Sequence, residues 1–191
     1  MELRLHSIEY FSRANGPGCR TVIWFQGCTL GCPACFNPLT HPADGGLFHD
    51  TETLAAEIIA LRSSIQGLSI SGGEPFQQPE ALLELLTHLS GSGLSILVFS
   101  GYALTEIRRQ PLGPSILPFL DVLIAGRYVT TQPVGHSLLG SSNQTIHFLS
   151  SRYSLPDLQQ VPRREFILHF DCQVTASAID PLHSDQCCKE R

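Results

Sequence analysis

Cys28, Cys32 and Cys35 stand at Cys-x3-Cys-x2-Cys spacing on one short loop. The loop directly follows Val22 to Phe25, an apolar run that reads as a strand. Three thiolates so close in sequence can converge on one metal centre. Iron–sulfur clusters commonly take four cysteines, one per iron, so three local thiolates leave a four-iron cube with one iron uncommitted. An open position of that kind separates catalytic metal sites from closed structural ones. The alternative is a zinc site or a purely structural cluster. Zinc wants a fourth ligand, which Cys19 or His41 would supply.

The elements that must carry this loop read as alternating strands and helices. Leu3, Leu5 and Ile8 partly alternate with polar neighbours, as in a half-exposed strand before the Gly16-Pro17-Gly18 turn. Thr21 to Gln26 is the first buried strand and delivers Cys28 to its loop; Pro38 to Gly46 reads as a further loop. Asp50 or Thr51 then caps a helix that puts Leu54, Ile58, Leu61 and Ile65 on one face and ends at Gly67. Leu68 to Ser71 is a second strand running into Gly72-Gly73-Glu74-Pro75. Pro79 opens a helix with Leu82, Leu85, Leu86 and Leu89 as its buried stripe. Ser95 to Phe99 is a third strand leading to Ser100-Gly101-Tyr102, followed by a short helix around Thr105 to Arg109. Val122 to Ala125 is a fourth, leading to Gly126-Arg127-Tyr128.

Uninterrupted apolar strands alternating with helices predict a parallel sheet covered on both faces. Four such units are too few for a closed eight-stranded barrel. The expected fold is therefore α/β, a partial, open (β/α) barrel with a mostly parallel sheet. Ligands of parallel α/β sheets bind at the carboxyl ends of the strands. By that rule the cysteine loop, Gly72 to Glu74, Ser100-Gly101 and Gly126-Arg127-Tyr128 share one rim, with Arg127 as its cation. Asp121 lies at the opposite end of its strand and reads as structural. No helical period is visible from Thr130 to Asn143, so Gly140 to Gln144 stays near the rim and Thr145 to Leu149 pairs as an edge strand. Residues 163–180 read as a hairpin, with Phe166, Leu168 and Phe170 alternating, a turn near Asp171-Cys172, and Val174 and Ala176 returning. The expectation is one domain over 1–191: a core of about 16–150, an extension of about 163–180 and a disordered tail of about 183–191.

A hydrophobic share of 42%, a charged share of 15% and a net charge of −5 suit an ordinary globule. Without a basic run, nothing points to nucleic acid as a partner, and no apolar stretch has the length of a membrane span. With no signal-peptide core at the N-terminus, the reading is a cytoplasmic protein. Seven cysteines are an odd number in a chain too long to need staples, which favours reduced thiols and metal ligation over disulfides. Cys19 and Cys172 read as small apolar filler, and Cys187-Cys188, in a polar tail, receive no role. The eight histidines show no i, i+4 pairing, which argues against a histidine metal site.

The cysteine loop resembles that of radical S-adenosylmethionine (SAM) enzymes. The resemblance implies a [4Fe–4S] cluster on Cys28, Cys32 and Cys35, with the amino and carboxylate groups of SAM on the free iron. Reduction then splits SAM to a 5′-deoxyadenosyl radical that abstracts a hydrogen atom. Gly72 and Gly73 match the segment that hydrogen-bonds the methionine amino group, and Glu74 either accepts from that ammonium or caps the next turn. Phe36 matches an aromatic whose backbone meets the adenine, with Ala34 at the neighbouring position. Ser100 would bond a ribose hydroxyl or the methionine carboxylate, or cap its own turn; Ser142 and Asn143 would join the rim or satisfy an irregular turn.

The stretches 27–37, 71–75, 99–102, 121–128 and 140–144, in that order, resemble the activases of glycyl radical enzymes, especially those of anaerobic (class III) ribonucleotide reductase. That implies an oxidoreductase acting on a glycyl radical enzyme as protein substrate, with reduced flavodoxin or ferredoxin as electron donor and no catalytic side chain beyond the cluster and SAM. The chain departs from the pattern at Ala125, where an acidic residue is usual, and at Leu139, where an arginine is usual. The alternatives are a radical SAM enzyme acting on a small molecule or peptide and, from another class, a non-catalytic iron–sulfur or zinc-binding module.

Overall fold

The computed structural model describes residues 1–136, 138–168 and 174–178. Its frame is a seven-stranded sheet in the order β3-β1-β2-β4-β5-β6-β9. The central strands β2 (Arg20–Phe25), β4 (Gly67–Gly72), β5 (Ser95–Ser100) and β6 (Val122–Ala125) are parallel, and the sheet stays open. Antiparallel strands flank them: β1 (Glu2–Ser12) and β3 (Leu47–Asp50) on one side, β9 (Thr145–Phe148) on the other. The edge strand after Asn143 and the open, mostly parallel sheet are as the sequence predicts.

Alternation along the strands decides the layering. Ile23, Phe25, Leu68, Ile70, Val98 and Leu123 face α1 (Thr51–Ala60) and α2 (Pro79–Leu89), which bury Leu54, Ile58, Leu82, Leu85 and Leu86 against them. The short α3 (Leu104–Ile107) and α4 (Gly113–Ile116) join the same layer through Ile107 and Ile116. The sheet expected to be covered on both faces thus carries α1 to α4 on one of them. On the other face Leu97, Val122 and Ile124 form a smaller cluster with Leu138 and with Leu158 from α5 (Leu155–Gln159), flanked by half-buried residues such as Phe99, Ile146 and Tyr153. Over β2 and β4 that concave face is left to a cavity. The apolar runs of the strands line an inner cluster and a cavity wall, so they do not require a second helical layer.

Three further differences have physical reasons. β3 follows the expected 38–46 loop and has no counterpart in the sequence reading; its Leu47 and Phe48 are 71% and 56% exposed, so it has no buried face to mark it in sequence. α1 stops at Ala60, and Leu61 and Ile65 reach the core from the turns beyond it. β7 (Pro133–His136) and β8 (Leu139–Ser141) pair in the stretch expected to be irregular. The late hairpin forms as β10 (Arg164–Leu168) and β11 (Val174–Ala178), with Phe166 opposite Ala176 and Leu168 opposite Val174. Its alternating Phe166 and Leu168 face outward. The turn near Asp171-Cys172, Phe170, Cys187-Cys188 and the tail of about 183–191 lie outside the described residues. Among the described residues no helix is long and apolar enough to cross a membrane.

The base of the parallel strands is closed by Arg20, which is fully buried. Its guanidinium donates to Ser69 Oγ and Ser95 Oγ at 2.8 Å, to Leu68 O at 2.8 Å and to Ser95 O at 3.0 Å. Weaker contacts reach Pro17 O and Tyr153 Oη at 3.3 Å. Burial lowers its pKa, and a fan of oxygen acceptors replaces a carboxylate partner.

Candidate metal centre

β2 ends at Phe25 and hands the chain to a loop that is tied at both ends. Gly27 N–H donates to Thr40 O at 2.7 Å and Cys28 N–H to His41 O at 3.1 Å, so the loop returns beside its own start. Gln26, 2% exposed, donates through Nε2 to Leu39 O at 3.1 Å and Pro42 O at 2.7 Å. Gln77 accepts from Thr29 N–H at 3.1 Å and donates to Thr29 Oγ1 at 2.9 Å and Tyr102 Oη at 3.0 Å. Gln78 donates to Gln26 O and Arg4 O at 2.9 Å. These three glutamines brace the loop, and sequence reasoning passed them over. The available signal was their placement, one beside the loop and two just beyond Gly-Gly-Glu-Pro. Curling the loop takes positive φ at Gly31 (64°) and at Ala34 (51°), the latter a strained conformation for a residue with a Cβ.

Cys28, Cys32 and Cys35 are free and half-buried. Burial pushes the Cys28 and Cys35 thiols up, while backbone N–H groups of Leu30 and Asn37 hydrogen-bond the sulfurs and pull them back. Cys19 precedes β2 at the base, about 20 Å of strand away, so it is no fourth ligand. Among the described residues no group of three or more His, Cys, Asp and Glu is gathered tightly enough for a single metal ion. Ligands on one zinc would stand within about 4 Å of each other. A cube offers a separate iron to each thiolate, so three unpaired cysteines on one braced loop, with amides aimed at two of the sulfurs, fit a cluster better than an ion.

The second rim segment is fixed against this loop by glycine. A Cβ on Gly73 would stand 2.3 Å from Gly27 O, and one on Gly72, with φ of 103°, 2.4 Å from Phe25 N. Their absence lets Gly73 N–H reach Phe25 O at 2.8 Å and Glu74 N–H reach Gly27 O at 2.9 Å. Glu74 is 1% exposed. It accepts from Phe76 N–H at 3.0 Å, Ser100 Oγ at 2.9 Å and Gly101 N–H at 2.8 Å. Burial outweighs those three donors and raises its pKa to about 7. It therefore caps its own turn, and Ser100, which also accepts from Tyr102 N–H at 3.0 Å, has its proton committed to Glu74.

Cys32, Cys35, Phe36, Gly72, Gly73, Glu74 and Ser100 line one cavity of roughly 430 Å³. Phe36 packs on Tyr128 with ring centroids 4.1 Å apart, a pair that fits only because Gly140 lacks a Cβ, which would stand 2.4 Å from the Phe36 ring. The other expected site residues lie elsewhere. Ala34 is exposed and outside the lining. Ser142 and Asn143 are exposed too, with Asn143 Nδ2 donating to Arg127 O at 2.8 Å; Gly140 and Gln144 line the cavity in their place. Arg127 is paired with Glu106 at 2.9 Å. Ala125 is buried under the helices, and Asp121, at the base, accepts from Ile96 N–H at 2.9 Å.

Residues 14–147 match the family described as 4Fe-4S single cluster domain. The chain is 30% identical over 158 residues to the anaerobic ribonucleoside-triphosphate reductase-activating protein of Salmonella typhimurium, covering 77% of this chain and 99% of that protein. It is 31% identical over 137 residues to the protein of that name in Enterobacteria phage T4, covering 69% and 85%. With the pyruvate formate-lyase-activating enzyme of Clostridium pasteurianum it shares 38% identity over 95 residues, 48% of this chain and 40% of that enzyme.

Proposed function

The chain belongs to the 4Fe-4S single cluster domain family and to the activating proteins of anaerobic ribonucleoside-triphosphate reductase, and from that premise we propose that it is a radical SAM activase of a glycyl radical enzyme. The observation that carries this reading is that Cys32 and Cys35 of the three-thiol loop, a glycine pair and the buried Glu74–Ser100 pair open on one cavity. Cys28, Cys32 and Cys35 would hold a [4Fe–4S] cluster, leaving one iron for SAM. When bound, cluster and SAM together supply a 5′-deoxyadenosyl radical that takes a hydrogen atom from a glycine of the partner.

The chain's own residues bind and orient. Gly72 and Gly73 bring backbone close to the cofactor, and the Phe36–Tyr128 pair walls the aromatic side of the cavity. Glu74 holds Ser100 and Gly101 in place rather than reaching for the ligand with a free oxygen. Gly140 and Gln144 complete the wall beside the Phe36–Tyr128 pair. Hydrogen-atom abstraction needs no general base, so no side chain is assigned one. The electron donor is a reduced flavodoxin or ferredoxin, and the compartment is the cytoplasm.

Anaerobic reconstitution with iron and sulfide, followed by dithionite and SAM, tests the reading. We expect 5′-deoxyadenosine and methionine in equal amounts, then a glycyl radical signal by electron paramagnetic resonance once an anaerobic ribonucleotide reductase is added. If no 5′-deoxyadenosine forms, the protein is a binding module. If it forms but leaves the reductase without a radical, the substrate is a small molecule or peptide.

A further inference from the structure

The cysteine loop has two sides. Cys32 and Cys35 line the cavity with Leu30 and Phe36, whereas Cys28 and the exposed Thr29, Gly31, Pro33 and Ala34 lie outside its lining. From Gly27 to Thr40 the chain carries no charged side chain. The outer side continues onto the ends of β5 and β6. Gln77 joins Thr29 to Tyr102 by hydrogen bonds of 2.9 and 3.0 Å, and the Arg127 guanidinium stands 5.7 Å from the centre of the Tyr102 ring. Gln77, Tyr102 and Arg127 also lie outside the lining. Arg127 meets Glu106 at 2.9 Å with its side chain 45% exposed. Arg109 acts on the same carboxylate, and Arg108 beside it is exposed. Three arginines against one glutamate give this border a positive balance in a chain whose net charge is −5.

The inner side must hold the cofactor and the hydrogen donor, so a protein that delivers electrons meets the thiols from the outer one. We propose that this outer side, with Thr29, Pro33 and Ala34 bordered by Arg127 and Arg109, is the docking face of an acidic electron-carrier protein. The inference rests on the activase reading, which requires such a carrier, and adds where it lands and by which charges. Interfaces of this kind pair an uncharged centre, which allows close approach, with a charged border that sets orientation and the rate of encounter. Electron-transfer encounters bury little surface, so a loop tip and a few arginines suffice. The carrier gives up one electron, which goes into breaking the carbon–sulfur bond of SAM and leaves methionine and the 5′-deoxyadenosyl radical.

The full chain, reconstituted with iron and sulfide, is titrated by calorimetry with an oxidised flavodoxin and, separately, with an oxidised ferredoxin. The variants are Arg127→Glu, Arg127→Lys and, as a control for net charge alone, Arg62→Glu, an exposed position between α1 and β4 at the base of the sheet. The native protein should bind at least one carrier, with a dissociation constant that rises at least about tenfold between about 0.05 and 0.5 M salt. Arg127→Glu should weaken that binding at least about fivefold at low salt and Arg127→Lys less than about twofold, while Arg62→Glu should match the native protein. With the reduced carrier below saturation, 5′-deoxyadenosine should form more slowly in Arg127→Glu. With dithionite, a small reductant that needs no docking face, the rate should be equal in all four proteins. Binding of neither carrier to the native protein would overturn the proposal, as would unchanged binding in Arg127→Glu or an equal loss in Arg62→Glu. Loss of binding to an anaerobic ribonucleotide reductase in Arg127→Glu, with carrier binding intact, would overturn it too and give the face to that partner. Absence of 5′-deoxyadenosine with dithionite from every protein would instead overturn the activase reading, and this inference with it.

Discussion

Arg20 and Glu74 are the only charged side chains in the buried class among the described residues, and they sit at opposite ends of the same parallel strands. At the base, Arg20 faces a fan of serine and carbonyl oxygens that take up its guanidinium donors. At the rim, Glu74 also has its oxygens filled, but its donors, Ser100 and Gly101, line an open cavity next to two of the cysteines. A buried charge surrounded by structure serves stability, whereas one backing a cavity serves placement. The two ends of one sheet thus divide the labour of the molecule.

That division can be broken at either end. Cys32→Ala should have the largest effect, complete loss of cluster loading measured as iron and sulfide per chain, with the urea midpoint of the metal-free protein scarcely moved. Arg20→Met should do the reverse. Leaving the serine and carbonyl acceptors unpaired should destabilise by about 4 kcal/mol in urea unfolding, while the chains that remain folded still load iron. A base variant that loses its cluster without losing stability would erase the distinction.

Glu74 sharpens the comparison through acidity. Its carboxyl binds a proton more tightly folded, with a pKa of about 7, than unfolded, near 4.5. Its contribution to stability is therefore fully present below about 4.5 and is lost as pH rises through about 7. Urea unfolding across that window should fall with pH by at most about 3 kcal/mol more in the native protein than in Glu74→Gln. Equal slopes would mean the rim carboxyl is as fixed in charge as Arg20. The smallest effect belongs to Arg127→Ala. Its pair with Glu106 is exposed, so the midpoint should move by less than about 0.5 kcal/mol.

The rim was legible in sequence because strand polarity is: each apolar run meets a glycine or serine within two residues of its end, and parallel pairing brings those ends together. The hidden parts follow other rules. β3 lacks a buried face, and its exposed Leu47 and Phe48 give no alternation to read. The alternation of Phe166 and Leu168 reveals a strand but not which way it faces, since that is set by Glu165 and Asn15, far apart in the chain, through bonds to Arg13 N–H and Ser177 Oγ. The missing helical period keeps 140–144 near the rim, but it does not say which of those residues meet the cavity: Gly140 and Gln144 line it, while Ser142 and Asn143 bond Gln132 and Arg127 O. The glutamine brace has no period at all, being built from contacts between segments.

That brace has a consequence of its own. Gln26, Gln77 and Gln78 fasten the cysteine loop with amide groups that neither titrate nor attract counter-ions. The mount under the thiols should keep its shape at ionic strengths that would loosen a frame of ion pairs, so that changes of acidity reach the thiols through Glu74 rather than through the brace.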